Sequence, residues 1–124
     1  MTASLELQKA INTALTAHGY TVYDFRPDLS AQYPFILIGD DTQKDLDVKN
    51  ADHIEVTSTI MAFDDYKGNL HIKNILQDIR EHCLNLILTT YSILSAKVIH
   101  SSTSYDSTAQ CNQGVIEILY KLLR

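Results

Sequence analysis

The segment His53–Phe63 constrains the fold most, because apolar side chains alternate with largely polar ones along its eleven residues. A period of two places alternate side chains on opposite faces of a β-strand. The apolar residues of one face would be Ile54, Val56, Ile60 and Ala62, and the other face would carry Glu55, Thr57, Thr59, Met61 and Phe63. At about 3.4 Å per residue this strand would span roughly 37 Å, about twice the usual length. We therefore expect a sheet in which part of this strand projects beyond the core.

Two helices are predicted from apolar residues at helical spacing. The first would cover Ser4–His18, with Ser4 as its N-cap and Gly19 as the residue that ends it. The second would begin after an Asn69 cap and run to about Leu88. Its apolar face would consist of Ile72, Ile75, Leu76, Ile79, Cys83, Leu86 and Ile87.

Further strands are predicted where short apolar runs are bounded by turn residues. They are Val22–Phe25, Phe35–Ile38 after Pro34, Lys97–Tyr105 and Val115–Leu123, the last two separated by a polar connection containing Asn112 and Gly114. The element order is then α-β-β-β-α-β-β. Since neighbouring strands usually pair, the predicted fold class is α+β, with a mostly antiparallel four- to five-stranded sheet and two helices on one face.

Residues 40–52 predict a long acidic loop between two strands. Two lysines and five aspartates lie in this segment, and the aspartates are Asp40, Asp41, Asp45, Asp47 and Asp52. Only Leu46 and Val48 stand out among them as larger apolar residues. Because so little apolar surface cannot offset the entropy of ordering, we expect the segment to be mobile in an isolated subunit and ordered on assembly.

Length and composition exclude several classes of protein. A chain of 124 residues predicts a single domain over 1–124. A formal charge of −5 argues against a domain that grips nucleic-acid phosphates. There is no apolar run near 18 residues and no apolar stretch of a secretory signal, so we expect neither a membrane span nor a cleaved leader.

Motifs for catalysis or cofactor binding are missing from the sequence, so we predict no catalytic residue, no metal and no cofactor. Glycine-rich phosphate loops and paired metal-binding histidines are absent. The doublets Asp40-Asp41 and Asp64-Asp65 could hold a hard cation, but adjacent aspartates beside Gly and Lys are more typical of turns. His82 and Cys83 are neighbours on the predicted helix and would point apart, which argues against a nucleophile and its base.

The two cysteines, Cys83 and Cys111, are too few for a disulfide framework. Cys83 is predicted to be a buried core thiol. Cys111 falls in the predicted polar connection, so we expect it to react quickly with a thiol reagent. We predict that both are free.

Several strings, taken in order, resemble one protein family over about residues 5 to 122. They are the opening helix Leu5–Ile11, the strand Val22-Tyr23-Asp24 with its proline turn, the run Tyr33–Gly39 with an acidic segment after it, and the strand from His53 to Phe63 with a Tyr66-Lys67-Gly68 turn and a helix. In this order and spacing, the chain resembles the tail completion or tail-to-head joining proteins of long-tailed bacteriophages, which are related in fold to tail terminators. From Tyr91 onward the resemblance consists only of predicted strands, without a string typical of the family.

The resemblance implies a structural protein of the virion, present in the host cytoplasm during assembly. Such proteins form homohexameric rings at the head-proximal end of the tail, end growth of the tail tube and join the tail to the head. The implied partners are further copies of the chain, the tail tube protein and a head completion (connector) protein. DNA passes through the channel without specific binding, and an acidic protein around it would favour sliding. The alternatives are a small cytoplasmic carboxylate-metal hydrolase and an unassigned α+β binding module.

Two groups of residues are candidates for a role in such a ring. Met61 and Phe63 lie on the non-core face of the long strand, and Leu46 and Val48 lie in the acidic segment, so we expect these four at the contact between subunits. The aspartates at 40, 41, 45, 47 and 52 are expected to face the channel or the joining surface.

Overall fold

The computed structural model describes residues 2–25, 27–28, 31–48 and 51–124, with the side chains of 45–48 and 51–52 left outside the description. In chain order its elements are α1 (Ala3–Ala17), β1 (Val22–Tyr23), β2 (Phe35–Val48), β3 (Ala51–Asp64), α2 (Leu70–Cys83), β4 (Ser92–Asp106) and β5 (Cys111–Leu123). The predicted order α-β-β-β-α-β-β is confirmed.

The strands form one five-stranded sheet in the order β1-β2-β3-β5-β4. β1 is parallel to β2, and every other neighbouring pair is antiparallel. The predicted mostly antiparallel α+β sheet is therefore confirmed. The long strand is confirmed as β3, which is paired with β2 along one side and with β5 from His53 to Asp64 along the other.

Both helices cover one face of the sheet and share a core with it. The buried residues of this core include Leu7, Ile11 and Leu15 from α1 and Ile72 and Ile79 from α2, all 0% exposed. They pack against inward-facing strand residues such as Ile36, Val56, Ile60, Ile118 and Leu122. The hydroxyl of Tyr120, also fully buried, donates a 2.7 Å hydrogen bond to the Cys83 carbonyl at the end of α2. The apolar spacing thus forms the predicted face of α1 and that of α2 as far as Cys83, whereas Leu86 and Ile87 lie beyond α2 and Ile87 is 91% exposed.

The helix ends differ from the prediction at two places. The N-cap of α1 is Thr2 rather than Ser4, since the Thr2 hydroxyl accepts a 3.2 Å hydrogen bond from the Leu5 N–H. α2 ends at Cys83 and not near Leu88. The Asn85 side chain donates to the Glu81 carbonyl at 2.7 Å, which satisfies an acceptor that a longer helix would have used.

The acidic segment is not a loop, so that prediction is wrong. Residues 40–48 belong to β2 and 51–52 to β3, paired from Asp41↔Ser58 to Val48↔Ala51. β3 offers an open edge along this stretch, and backbone pairing with that edge needs no apolar side chain. Residues 49 and 50 lie outside the described residues.

The predicted polar connection around Asn112 is also a strand. Asn112 and Gly114 lie in β5, opposite Asp64 and Ala62 of β3. The Asn112 side-chain amide donates to the carbonyls of Tyr66 and Gly68, at 2.8 and 2.6 Å, and so holds the turn before α2. A Cβ on Gly114 would lie 2.9 Å from a methyl carbon of Leu76, so the missing side chain lets α2 approach the sheet.

Candidate functional site: two sheet edges and a second apolar cluster

The face of the sheet away from the helices carries a small apolar cluster of its own. Its buried members are Phe35, Leu37, Phe63 and Cys111, and Tyr23, Ala31 and Met61 pack against them. The rings of Phe35 and Phe63 are stacked with centroids 4.9 Å apart, and Tyr33 and Tyr23 contact Phe35 from other sides. This cluster covers the end of the sheet where β1 and the residues before β2 pack.

The second apolar cluster changes the interpretation of the predicted interface residues. Phe63 is only 6% exposed, so little of its side chain is left to contact another subunit, and its place at such a contact stays a prediction. Met61 is half-buried in the same cluster. The side chains of Leu46 and Val48 lie outside the described residues, and their role at a contact stays a prediction.

Cys111 is also buried, so its predicted rapid reaction is wrong. It is 3% exposed, on the face of β5 that joins the second apolar cluster. Cys83 is 0% exposed in the main core, as predicted, and burial raises the pKa of its thiol to about 12. Both cysteines are free.

Of the five aspartates in the acidic segment, the two whose side chains the structure describes lie on the outer edge of the sheet. Asp40 and Asp41 are exposed on β2, next to the register shift between Ile38 and Asp41. β1 pairs only with Ile36 and Leu37, so the rest of β2 has no strand on that side among the described residues. The side chains of Asp45, Asp47 and Asp52 lie outside the description. The predicted acidic surface is therefore placed, as far as it is described, on a strand edge rather than on a loop.

β4 forms the opposite edge of the sheet and is almost entirely exposed. It pairs with β5 through two register shifts, between Ile93 and Ser95 and between Val98 and His100. The extra residues at these bulges are Leu94 and Ile99, which are 51% and 47% exposed. Large apolar side chains on an open edge are a common mark of a surface that contacts another chain.

The carboxylates of the doublet Asp64-Asp65 do not meet at one site. Asp64 is buried and Asp65 exposed, so their carboxylates point to different surroundings. Asp64 Oδ2 lies 3.4 Å from His71 Nδ1 without hydrogen-bond geometry, and the His71 ring stacks on Tyr66. No group of three or more His, Cys, Asp or Glu residues in the described part of the chain is arranged to hold a metal ion.

A second buried carboxylate, Glu6 of α1, was missed by the sequence analysis. Its Oε1 accepts hydrogen bonds from the Thr89 N–H at 2.7 Å, the Thr89 hydroxyl at 3.0 Å and the Thr90 N–H at 2.8 Å. These bonds, led by that from Thr90, hold the pKa of Glu6 below its ordinary value despite the opposing effect of burial. Nothing in the sequence distinguishes it from a solvated first-turn acid, since its partners lie more than eighty residues away.

Near Glu6, an open groove of about 740 Å³ runs between α1 and residues 85–89. Its walls include Ala10, Ala14 and Leu88, and Ile87, 91% exposed, stands at its rim. No helix among the described residues has the length and apolarity needed to cross a membrane. The groove is a third exposed feature of the subunit, in addition to the two sheet edges.

Comparison with known proteins gives a match in structure. No protein-family model and no curated protein matches the chain. A chain in the solved structure of the virion of a native gene transfer agent (GTA) particle superposes with a TM-score of 0.84 and 16% sequence identity, covering 99% of this chain and 98% of that one. At this identity the likeness establishes a shared fold over the whole described architecture.

Proposed function

We propose that this protein is a structural component of a virion. The observation that carries the proposal is the superposition on a chain of the GTA virion, which leaves almost no residue of either chain unmatched. A fold by itself can serve many functions. Support from this chain itself comes from the two open strand edges of its sheet.

The specific role that we propose is that of a tail completion or terminator protein. Six copies would form a ring at the head-proximal end of a phage tail, stop growth of the tube and join it to the head completion protein. A subunit with two open strand edges and a net charge of −5 suits a ring around a DNA path, because like charge repels the duplex. The described residues offer no observation in favour of the hydrolase alternative.

Solution mass and imaging test this role together. We expect purified protein at rising concentration, or mixed with tail tubes, to form a species of six times 14.0 kDa. Negative-stain images should show rings capping one end of each tube. Tubes without added protein are the control. A protein that stays monomeric at every concentration and leaves tube ends uncapped would contradict the role.

The acidic residues of β2 are proposed to face the channel or the joining surface of that ring. Replacing Asp45 and Asp47 by Asn removes two charges per subunit, so twelve around a hexamer. We expect assembly to persist and DNA passage to slow, because the repulsive field in the lumen weakens. Ring loss with the double variant would instead assign the two carboxylates to a subunit contact.

A further inference from the structure

The two open edges of the sheet can be compared by their height along the strands, where residues paired across the sheet are at the same level. Following the register across the strands, Asp41 of β2 is level with Ser58, Ile118 and then Val98 of β4. Lys44 is level in the same way with Glu55, Lys121 and Ser95. The stretches Asp41–Lys44 and Ser95–Val98 are therefore at the same height on opposite sides of one subunit.

Both stretches are regular strand next to irregular backbone. Register shifts lie just before Asp41 in β2 and on either side of Ser95–Val98 in β4. Bulges limit how far an edge can be extended by another strand, which protects a long edge from indiscriminate pairing. In β4, the four regular residues between the two bulges are a short stretch available for pairing, so they restrict the register of a partner strand.

The strand directions allow the two edges to pair between copies. β2, β3, β5 and β4 alternate in direction, so β4 runs antiparallel to β2. When a copy is rotated about an axis roughly along the strands, as in a ring, its strand directions are kept. Its β2 then meets the neighbour's β4 in antiparallel orientation, which is the slightly more stable ladder.

The charges of the two edges are complementary. Residues 40–44 carry two aspartates and one lysine, and Asp40, one residue before Asp41, lies on the same face of the sheet as Lys97. Residues 92–105 of β4 carry Lys97, His100 and no acid. Pairing β4 with β4 across a two-fold axis would bring like charges together, whereas pairing β4 with β2 brings opposite charges together.

We propose that the Ser95–Val98 edge of one subunit pairs with the Asp41–Lys44 edge of a second copy of this chain, so that the sheet continues from subunit to subunit. The inference rests on the proposed ring and names the contact that closes it. Such a contact uses two different surfaces, and a heterologous contact of this kind closes into a ring when the rotation between copies divides a full turn. Leu94 and Ile99 flank the contact and become covered.

Amide hydrogen exchange of the full chain tests the pairing directly. On passing from monomer to ring, we expect exchange of the amides in 41–44 and 95–98 to slow about tenfold or more, because their outward N–H groups gain acceptors. The outer half of β4, residues 101–105, is the internal control and should keep its rate. Rings whose protection lies only on the helix face would overturn the edge contact while leaving the proposed function standing.

Charge reversal separates this contact from a two-fold dimer. Lys97→Glu and Asp40→Lys should each weaken assembly about tenfold, and the double variant should recover most of the loss, because the two residues lie on the same face of the continued sheet. Lys73→Glu on the exposed side of α2 is the matched control and should assemble normally. Additive loss in the double variant would overturn the pairing, and assembly of none of the proteins, wild type included, would overturn the ring as well.

Discussion

At the scale of single residues, Glu6 joins parts of the chain that are far apart in sequence. Its carboxylate takes three hydrogen bonds from Thr89 and Thr90 at the approach to β4, while its own backbone N–H donates to the Thr2 carbonyl of the α1 cap. The start of α1 is thereby fixed to the segment that leads into the edge strand. An acid that is 7% exposed and bonded in this way is a structural contact rather than a solvating charge.

Glu6→Gln should lower the melting temperature at neutral pH, because an amide oxygen is a weaker acceptor for these donors than a carboxylate. The folded pKa of Glu6 lies below its ordinary value of 4.5, so its stabilisation is present above pH 4.5 and is lost as the pH falls through the folded pKa. Thermal melts from pH 7 to pH 3 measure this. The gap between wild type and variant should narrow in acid, and a constant gap would contradict the assignment.

Neither of the two thiols should react with a thiol reagent in the native protein. Cys83 and Cys111 are 0% and 3% exposed, and the Cys83 thiol is also held protonated by its raised pKa. We expect neither to react with Ellman's reagent at pH 7.5 within minutes, and both to react at once in guanidinium. One fast equivalent in native buffer would show that Cys111 is accessible.

Gly114 and Leu76 are expected to be coupled. Gly114→Ala should cost about 1–3 kcal/mol of unfolding free energy, since the new Cβ would meet the Leu76 side chain at 2.9–3.0 Å. Leu76→Ala alone should cost about 2–5 kcal/mol by leaving a cavity. Urea unfolding of the double variant should show a loss smaller than the sum by at least about 0.5 kcal/mol. Strict additivity would mean that the sheet shifts away from α2 instead.

At the scale of elements, the second apolar cluster makes one face of β3 differ between the two ends of the strand. Near Phe63 the face away from the helices is covered by Phe35, Tyr23 and Ala31. Towards Glu55 and Thr57 the same face is only half-buried. One end of the strand therefore serves the interior of the subunit, and the other end is left with a polar, partly accessible surface.

Phe63→Glu is accordingly expected to unfold the subunit rather than to block assembly selectively. Removing a stacked, buried ring and inserting a carboxylate should cost more than about 3 kcal/mol. Phe25→Glu, at a phenylalanine that is 65% exposed, is the matched control and should stay within about 0.5 kcal/mol of wild type. Circular dichroism and urea melts of both variants decide this, and a stable Phe63→Glu monomer would contradict the burial.

A structural feature could be predicted from the sequence when the residues that determine it lie within one segment of the chain. Periodicity predicted both helices, the central strand and the element order, because each helix and each face of β3 repeats its own pattern. The acidic β2 extension could not be predicted, since its pairing depends on the backbone of β3 and not on its own side chains. The burial of Phe63 and Cys111 was missed for a related reason, because the residues that cover them come from other segments.

At the scale of the whole molecule, the sheet has a covered face, a mixed face and two open edges. The helices are confined to one face, so the two open edges and the part of the opposite face outside the second apolar cluster are accessible to other chains. Mutations in α1 or α2 should therefore act first on subunit stability.

The position of β5 in the sheet has a consequence for biosynthesis. β5 lies between β3 and β4, yet it is the last strand in the sequence, and its pairing with β3 joins residues as far apart as His53 and Leu123. Contacts of such long range slow folding, because a large loop must close before they form. Until β5 leaves the ribosome, β3 has one unpaired side and β4 has none of its native partners. A chain that lacks β5 therefore cannot hold β4 in the sheet, so both open edges exist together only after the last strand has paired.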